Sequence, residues 1–261
     1  MQRRQLLRLS GAGVLCAPAI LRPARAASPA PEPVDVELIL AVDVSRSIDA
    51  QEHETQMRGY AAAFRDPEVI RSIKGGGIGA ISCTLFTWSD SDSQEDLVPW
   101  MRISDEGSAE RFAAAIDAAP RRTWSYTSIS GAMEHAMRLY GQGLYEGTRR
   151  VLDISGDGMN NSGRRLDGVR GRMLEEGIVT NGLAVLDRSP SGGSRGPGDG
   201  AAALEDYYRE EVIGGLGAFL VVAEGFEAFD RAVRRKIARE IAGMEAGTRF
   251  AGTPVVDRVS G

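Results

Sequence analysis

A carboxylate and two hydroxyls stand at alternate positions in the first quarter of the chain, as Asp43, Ser45 and Ser47. They follow directly on an apolar run, residues 36–42, which has the length and composition of a buried strand. As the backbone leaves a strand, side chains spaced by two can turn toward one point. Carboxylate and hydroxyl oxygens are the ligands that a hard cation such as Mg²⁺ prefers. The spacing therefore predicts a metal site at the end of this strand.

Two further oxygen-bearing side chains lie far downstream. Asp157, followed by Gly158, comes after a second predicted buried strand at residues 149–155, and Thr127 opens a helical pattern before that strand. Loops at the carboxyl ends of parallel strands are where such sheets bind ligands. If the two strands are neighbours, all five side chains meet at the same end of the sheet. A plainer interpretation stays open, because serines near a strand end also serve as helix caps.

The hydrophobic pattern supplies the elements that would hold these loops. Apolar runs alternate with helical spacing, which predicts an α/β fold with a doubly wound, mostly parallel sheet covered by helices on both faces. Pro99 places one strand at a sheet edge, and one antiparallel edge strand is expected. The predicted strands cover residues 36–42, 78–88, 97–103, 149–155, 178–186 and 218–223. The predicted helices cover residues 49–64, 109–119, 128–140, 164–176, 204–212 and 226–241.

Together the five residues resemble the metal-ion-dependent adhesion site of von Willebrand factor type A domains, with Asp-x-Ser-x-Ser, then Thr, then Asp-Gly. The resemblance extends over residues 36–243 and implies the Rossmann-like fold of that family. It implies direct coordination of the metal by the hydroxyls of Ser45, Ser47 and Thr127. It also implies that Asp43 and Asp157 act mainly through bound water, and that a carboxylate from the partner completes the coordination.

The sequence departs from the family pattern at two points. Gly156 precedes Asp157 where many members have threonine, and no glycine pair precedes Thr127. Ser125 or Ser128 therefore stays open as the third hydroxyl ligand.

Residues 1–26 have the features of an export signal: an Arg3-Arg4 pair, an apolar run and a small-x-small cleavage site ending at Ala26. The arginine pair resembles the twin-arginine signal of bacteria, and we expect a periplasmic or secreted protein. The apolar run is broken and bounded by charges, which argues against a membrane-spanning helix. Residues 27–34 are predicted as a linker, 35–243 as the type A-like domain and 244–261 as a C-terminal tail. Parts of that domain also resemble a bacterial family of exported type A-like proteins, which implies no activity.

The charge of the chain argues against some classes of partner, and its cysteine content bears on disulfide formation. Five of the 31 basic residues and none of the 36 acidic ones lie in residues 1–26, so the remainder has a formal charge of about −10. That balance argues against nucleic acid or an anionic membrane surface as the partner. Of the two cysteines only Cys83 would remain after cleavage, which excludes a disulfide within the mature chain.

Other candidate motifs have plainer interpretations. The glycine-rich residues 75–79 precede a strand, whereas a nucleotide-binding loop follows one, so we expect a turn. His53 and His135 each lie in a predicted helix and are expected to be surface or packing residues. Asn160 and Asn161 are expected to form a turn, with a place in the site as the alternative.

The leading hypothesis is a protein-binding module that is not an enzyme. Mg²⁺, with Mn²⁺ or Ca²⁺ as alternatives, would accept a carboxylate from a protein partner. None of the five residues is an evident general base, which argues against catalysis. The alternative is a metal-dependent hydrolase or phosphatase, because a metal with an open position can activate water.

Overall fold

The computed structural model describes residues 30–120, 122, 125–186, 200–243 and 255–260. The strands are β1 (Glu32–Asp43), β2 (Ile81–Trp88), β3 (Gln94–Ile103), β4 (Tyr145–Gly156), β5 (Ile178–Val185), β6 (Phe219–Ala223) and β7 (Val255–Val259). The α-helices are α1 (Ala50–Arg65), α2 (Pro67–Lys74), α3 (Glu106–Asp117), α4 (Ile129–Tyr140), α5 (Leu166–Glu175), α6 (Gly200–Tyr207) and α7 (Phe229–Ala242). A π-helix, Tyr208–Val212, continues α6, and a 3₁₀ turn, Phe226–Ala228, precedes α7.

The strands form one sheet in the order β3-β2-β1-β4-β5-β6-β7. Only β3 runs antiparallel to its neighbour, and it lies at an edge. Helices α1, α2, α3 and α7 cover one face, while α4, α5, α6 and the π-helix cover the other. The predicted fold class, a doubly wound and mostly parallel sheet with one antiparallel edge strand, is confirmed.

The central strand β1 contains an apolar segment, residues 38–42, because both of its faces are covered there. Its side chains alternate between the two cores, with Val36, Leu38, Leu40 and Val42 on one side and Ile39 and Ala41 on the other. Each of these residues is fully buried. Burial on both faces explains why the run shows no polar alternation in sequence.

The register of the sheet brings three strand ends to the same level. Val42 of β1 pairs with Thr87 of β2 on one side and with Ser155 of β4 on the other. Strands β2 and β3 extend the sheet on one side of β1 and strands β4 to β7 extend it on the other. The strand order therefore reverses between β1 and β4, which is the position where doubly wound sheets bind ligands. Asp43 and Gly156 are the last residues of these two strands.

Two elements were not predicted from the sequence. Helix α2 starts at Pro67 behind a cap from Asp66, whose side chain accepts from the Glu68 N–H. Strand β7 pairs parallel with β6 within the segment predicted as a tail. It has five residues, two of them charged, and it is half-buried at the sheet edge, so it lacks the apolar run of a central strand.

The structure describes the amino-terminal part of the chain only from residue 30 onward. The export signal predicted for residues 1–26 lies outside the described residues. Strand β1 begins at Glu32, so it takes up the last three positions of the predicted linker, residues 27–34. Among the residues that are described, no helix has the length and apolar character needed to cross a bilayer.

Candidate metal centre

The loop between β1 and α1 turns its polar side chains inward. The Ser45 N–H donates a 2.7 Å hydrogen bond to Asp43 Oδ1, which bends the chain as it leaves the strand. Ser45 Oγ lies 3.0 Å from Ser47 Oγ, so the two hydroxyls share a hydrogen bond. Asp43 and Ser45 are buried, whereas Ser47 is exposed. The loop therefore lines up one carboxylate and two hydroxyls from the interior to the surface.

Helix α1 does not use either serine as its cap. Asp49 caps it by accepting from the N–H groups of Gln51 and Glu52, and Glu52 accepts from the Asp49 N–H in return. This is a complete capping box. The interpretation of Ser45 and Ser47 as helix caps is therefore wrong, and their hydroxyls are left for other contacts.

Asp157 meets the serines from the end of β4. Ser47 Oγ donates a hydrogen bond of 2.8 Å to Asp157 Oδ1. The pairing of β1 with β4 makes this contact possible, because it sets the two strand ends side by side. Four of the five predicted residues, Asp43, Ser45, Ser47 and Asp157, thus form one hydrogen-bonded chain.

Thr127 lies against the turn that follows Asp157. A Cβ atom added to Gly158 would be 3.4 Å from Thr127 Oγ1, so the Thr127 side chain lies beside Gly158. Thr127 is 6% exposed. Its N–H donates to Asn161 Oδ1 at 2.8 Å, and its carbonyl accepts from the Asn161 N–H at 2.8 Å. The fifth predicted residue is therefore fastened to the β4–α5 loop.

The other two serines left open by the sequence make structural contacts, Ser128 through its hydroxyl and Ser125 through its backbone carbonyl. Ser128 Oγ caps α4 by accepting from the Gly131 N–H at 3.1 Å, and it donates to the Ser162 carbonyl at 3.0 Å. The Ser125 carbonyl accepts from Ser89 Oγ at 3.1 Å, which anchors the loop before Thr127.

Two asparagines that were expected to form a turn also join the loops of the site. Asn161 holds Thr127 as described, and Asn160 Oδ1 accepts from the Ser130 N–H at 3.0 Å. Their amides satisfy backbone groups at the start of α4 that no helical bond can reach. No local sequence pattern indicates these partners, since they lie 30 or more residues away.

The electrostatics of the site favour a bound cation. Asp43 is fully buried, and its Oδ2 atom has no hydrogen-bond partner among the described residues. Burial raises the pKa of Asp43 well above its usual value, and the neighbouring Asp157 carboxylate raises it further. Burial likewise raises the pKa of Tyr208, with the charges of Asp43 and Asp157 adding to the shift. A cation beside the two carboxylates would offset this cost of ionising them.

The donor set suits a hard cation. In the described part of the chain, no three or more His, Cys, Asp or Glu side chains cluster as metal ligands. The site instead combines two carboxylates with three hydroxyls. Mg²⁺ binds through one or two carboxylates and retains several waters, so these oxygens fit it. Histidine and thiolate sites, which zinc commonly prefers, offer a different chemistry.

The remaining sequence candidates lie elsewhere in the fold. Asp35 accepts from the N–H groups of Ile78 and Gly79 at 2.9 and 2.8 Å, so the glycine-rich segment is the predicted turn. His135 Nε2 lies 2.6 Å from Asp96 Oδ1, and its ring packs edge-on against Phe86.

Comparison with solved structures identifies the class of fold as the von Willebrand factor type A domain. Proximal thread matrix protein 1 from the mussel byssus aligns with a TM-score of 0.57 at 15% identity, over 79% of this chain and 48% of that one. A second structure of that protein, with a zinc-occupied adhesion site, gives 0.52 at 15% identity over 80% and 46%. A type A domain from Catenulispora acidiphila gives 0.53 at 11% identity over 81% and 43%. The chain thus spans less than half of the length of each.

The chain belongs to the family described as "Protein of unknown function (DUF1194)", which it matches over residues 33–245. A comparison with curated proteins found no match.

Proposed function

We propose that this chain is an exported, metal-dependent protein-binding module of the periplasm or cell exterior. The hydroxyls of Ser45, Ser47 and Thr127 would hold Mg²⁺, with Mn²⁺ or Ca²⁺ as substitutes. Asp43 and Asp157 would balance its charge, mainly through water. When bound, the metal supplies an open coordination position for an Asp or Glu carboxylate of the partner protein. We further propose that the chain is not an enzyme.

One observation carries this proposal. Two carboxylates and two hydroxyls from loops that are more than 100 residues apart converge, and a buried carboxylate oxygen among them has no partner in the described residues. A buried carboxylate oxygen without a hydrogen-bond partner destabilises the fold, and a bound ligand at the site would offset that cost. Zinc in the adhesion site of the mussel protein supports a metal as that compensation.

The surface around the site also fits protein binding. Tyr126, next to Thr127, is 62% exposed, and Met159, next to Gly158, is 41% exposed. Aromatic and methionine side chains are enriched in protein interfaces. Tyr126 has a φ of +74°, a backbone conformation that is unfavourable for a residue with a side chain. Strain of this kind clusters at binding sites, which supports a partner contact beside the metal.

The proposal is tested by titrating metal into the mature protein and then by affinity capture from a periplasmic extract. Wild-type protein should bind Mg²⁺ in calorimetry and should retain its partner only when metal is present. Asp43→Asn removes a negative charge with little change of shape, so it should abolish both metal binding and capture.

Glu106→Gln is the matched control. Glu106 is exposed at the start of α3, behind β3, whose last residue Ile103 pairs with the first residue of β2. It therefore lies at the end of the sheet opposite the site. Its neutralisation should change neither metal binding nor partner capture. Capture that persists in excess chelator at wild-type strength would contradict the proposal.

A further inference from the structure

Tyr208 is a buried polar residue that the five-residue site does not include. It is the first residue of the π-helix, and its carbonyl accepts from the Ile213 N–H at 3.0 Å, five residues on. The residue is fully buried, and its Oη atom has no hydrogen-bond partner among the described residues. π-helical turns are frequent at functional sites because they re-aim a side chain.

The Tyr208 hydroxyl and the orphaned Asp43 oxygen face the same small space. That space lies over Gly156, the last residue of β4. A Cβ atom added to Gly156 would lie 2.7 Å from Tyr208 Oη and 2.9 Å from Asp43 Oδ2. Both distances are shorter than real Cβ contacts, so any side chain at position 156 would force the two oxygens apart. Glycine here keeps the space between them open.

The two atoms are chemically complementary. A tyrosine hydroxyl can donate one hydrogen bond, and an ionised carboxylate can only accept. Each of them is buried, and leaving either one unpaired is costly. Neither atom has a partner among the described residues, so one bridging water, or a side-chain movement that lets the two atoms bond directly, would satisfy both.

We propose that Tyr208 is a positioning residue of the metal site, whose hydroxyl donates to Asp43 Oδ2 directly or through one water. This inference rests on the proposed function, because it assigns Tyr208 the task of fixing the carboxylate that faces the metal. With Oδ1 held by the Ser45 N–H and Oδ2 by Tyr208, the Asp43 side chain has one orientation. A ligand held in this way binds metal more tightly than one that must be ordered first.

The test is Tyr208→Phe, with metal affinity and stability measured separately. The variant should bind Mg²⁺ about tenfold more weakly in calorimetry, as expected when a hydrogen-bond partner of a metal-site residue is lost. Tyr140→Phe is the matched control, since Tyr140 is also a buried tyrosine, and its hydroxyl lies 3.5 Å from the Glu37 carbonyl. It should bind Mg²⁺ with wild-type affinity. Urea unfolding of the metal-free proteins reports any loss of fold.

A second variant tests the same space by changing Gly156 instead of Tyr208. Gly156→Ala should weaken Mg²⁺ binding while Tyr208 is present, because the added methyl group separates the two oxygens. Wild-type Mg²⁺ affinity in both Tyr208→Phe and Gly156→Ala would overturn the inference and leave the proposed function standing. Absence of Mg²⁺, Mn²⁺ and Ca²⁺ binding by the wild-type protein would overturn both.

Discussion

The hydroxyl of Ser47 donates a 2.8 Å hydrogen bond to the carboxylate of Asp157, which lies 110 residues further along the chain. The contact ties the loop after β1 to the end of β4, at the point where the strand order reverses. Ser47 is exposed and Asp43 is fully buried, so the site has a solvent side and a core side. In the proposed function, a partner would approach from the Ser47 side.

Replacing Ser47 should separate metal binding from folding. Ser47→Ala removes a hydroxyl ligand and the bond to Asp157, and we expect Mg²⁺ affinity to fall about tenfold or more. Because Ser47 is exposed, the free energy of unfolding without metal should change by less than about 1 kcal/mol. Calorimetry and urea unfolding give the two values. Ser72→Ala on α2, where Ser72 Oγ donates to the Glu68 carbonyl, is the control. Equal Mg²⁺ affinity in the two variants would remove Ser47 from the site.

Tyr126 should matter for the partner and not for the metal. Tyr126→Gly removes a side chain that is 62% exposed and relieves a φ of +74°. Relief of the backbone strain stabilises the folded state, whereas the greater freedom of glycine stabilises the unfolded chain. The two effects offset each other, so the free energy of unfolding should stay within about 1 kcal/mol of wild type. Partner capture should fall while Mg²⁺ affinity is retained.

Leu216→Ala is the control for that experiment. Leu216 is 78% exposed and lies near the bridge between Gly214 and Thr180. This bridge is close to the start of β5, so Leu216 lies at the end of the sheet opposite the site. Its loss should not affect capture. Undiminished capture by Tyr126→Gly would exclude Tyr126 from the interface.

A buried charge cluster under the sheet should dominate the stability of the fold. Lys236 Nζ of α7 lies 2.7 Å from Asp153 Oδ1 of β4 and 2.6 Å from Glu240 Oε1, and none of these side chains is more than 1% exposed. Lys236→Met leaves the carboxylates in the core without a cation, so we expect a loss of about 3–5 kcal/mol in urea unfolding at neutral pH. Arg235→Met, which breaks the partly exposed pair with Asp257, should lose less than about 1 kcal/mol. Similar losses in both variants would contradict this assignment.

The same cluster predicts how stability depends on pH. Burial, together with the charge of Asp153, raises the pKa of Glu240 from 4.5 to about 8. Between these two values the folded protein keeps a proton that the unfolded chain releases, so the stabilisation is complete below pH 4.5 and is lost as the pH rises toward 8. The slope from this group is at most about 1.4 kcal/mol per pH unit.

Glu240→Gln isolates that contribution. The variant cannot ionise at this position, so its free energy of unfolding should fall less between pH 5 and pH 8 than that of wild type, as measured by urea unfolding at about those two values. Other titrating groups are common to both proteins and cancel in the difference. Parallel pH profiles would show that Glu240 is not protonated in the fold.

The sequence predicted the layered fold because the central strands carry their own signal. In β1 every position from residue 38 to residue 42 is apolar and buried, and such a run can be recognised without knowing its neighbours. β7 was missed for the opposite reason: it is short, half-buried and carries Asp257 and Arg258, and only its pairing with β6 makes it a strand.

For the site, the sequence by itself determined the residue types and the order of the loops, since Asp43, Ser45 and Ser47 are close along the chain. Only the tertiary structure decided that the Ser128 hydroxyl caps α4 and that Ser45 and Ser47 cap no helix. It alone also placed Tyr208 over Gly156. These two residues are 52 positions apart in two different elements. Contacts at such separations depend on tertiary packing, which no local sequence pattern encodes.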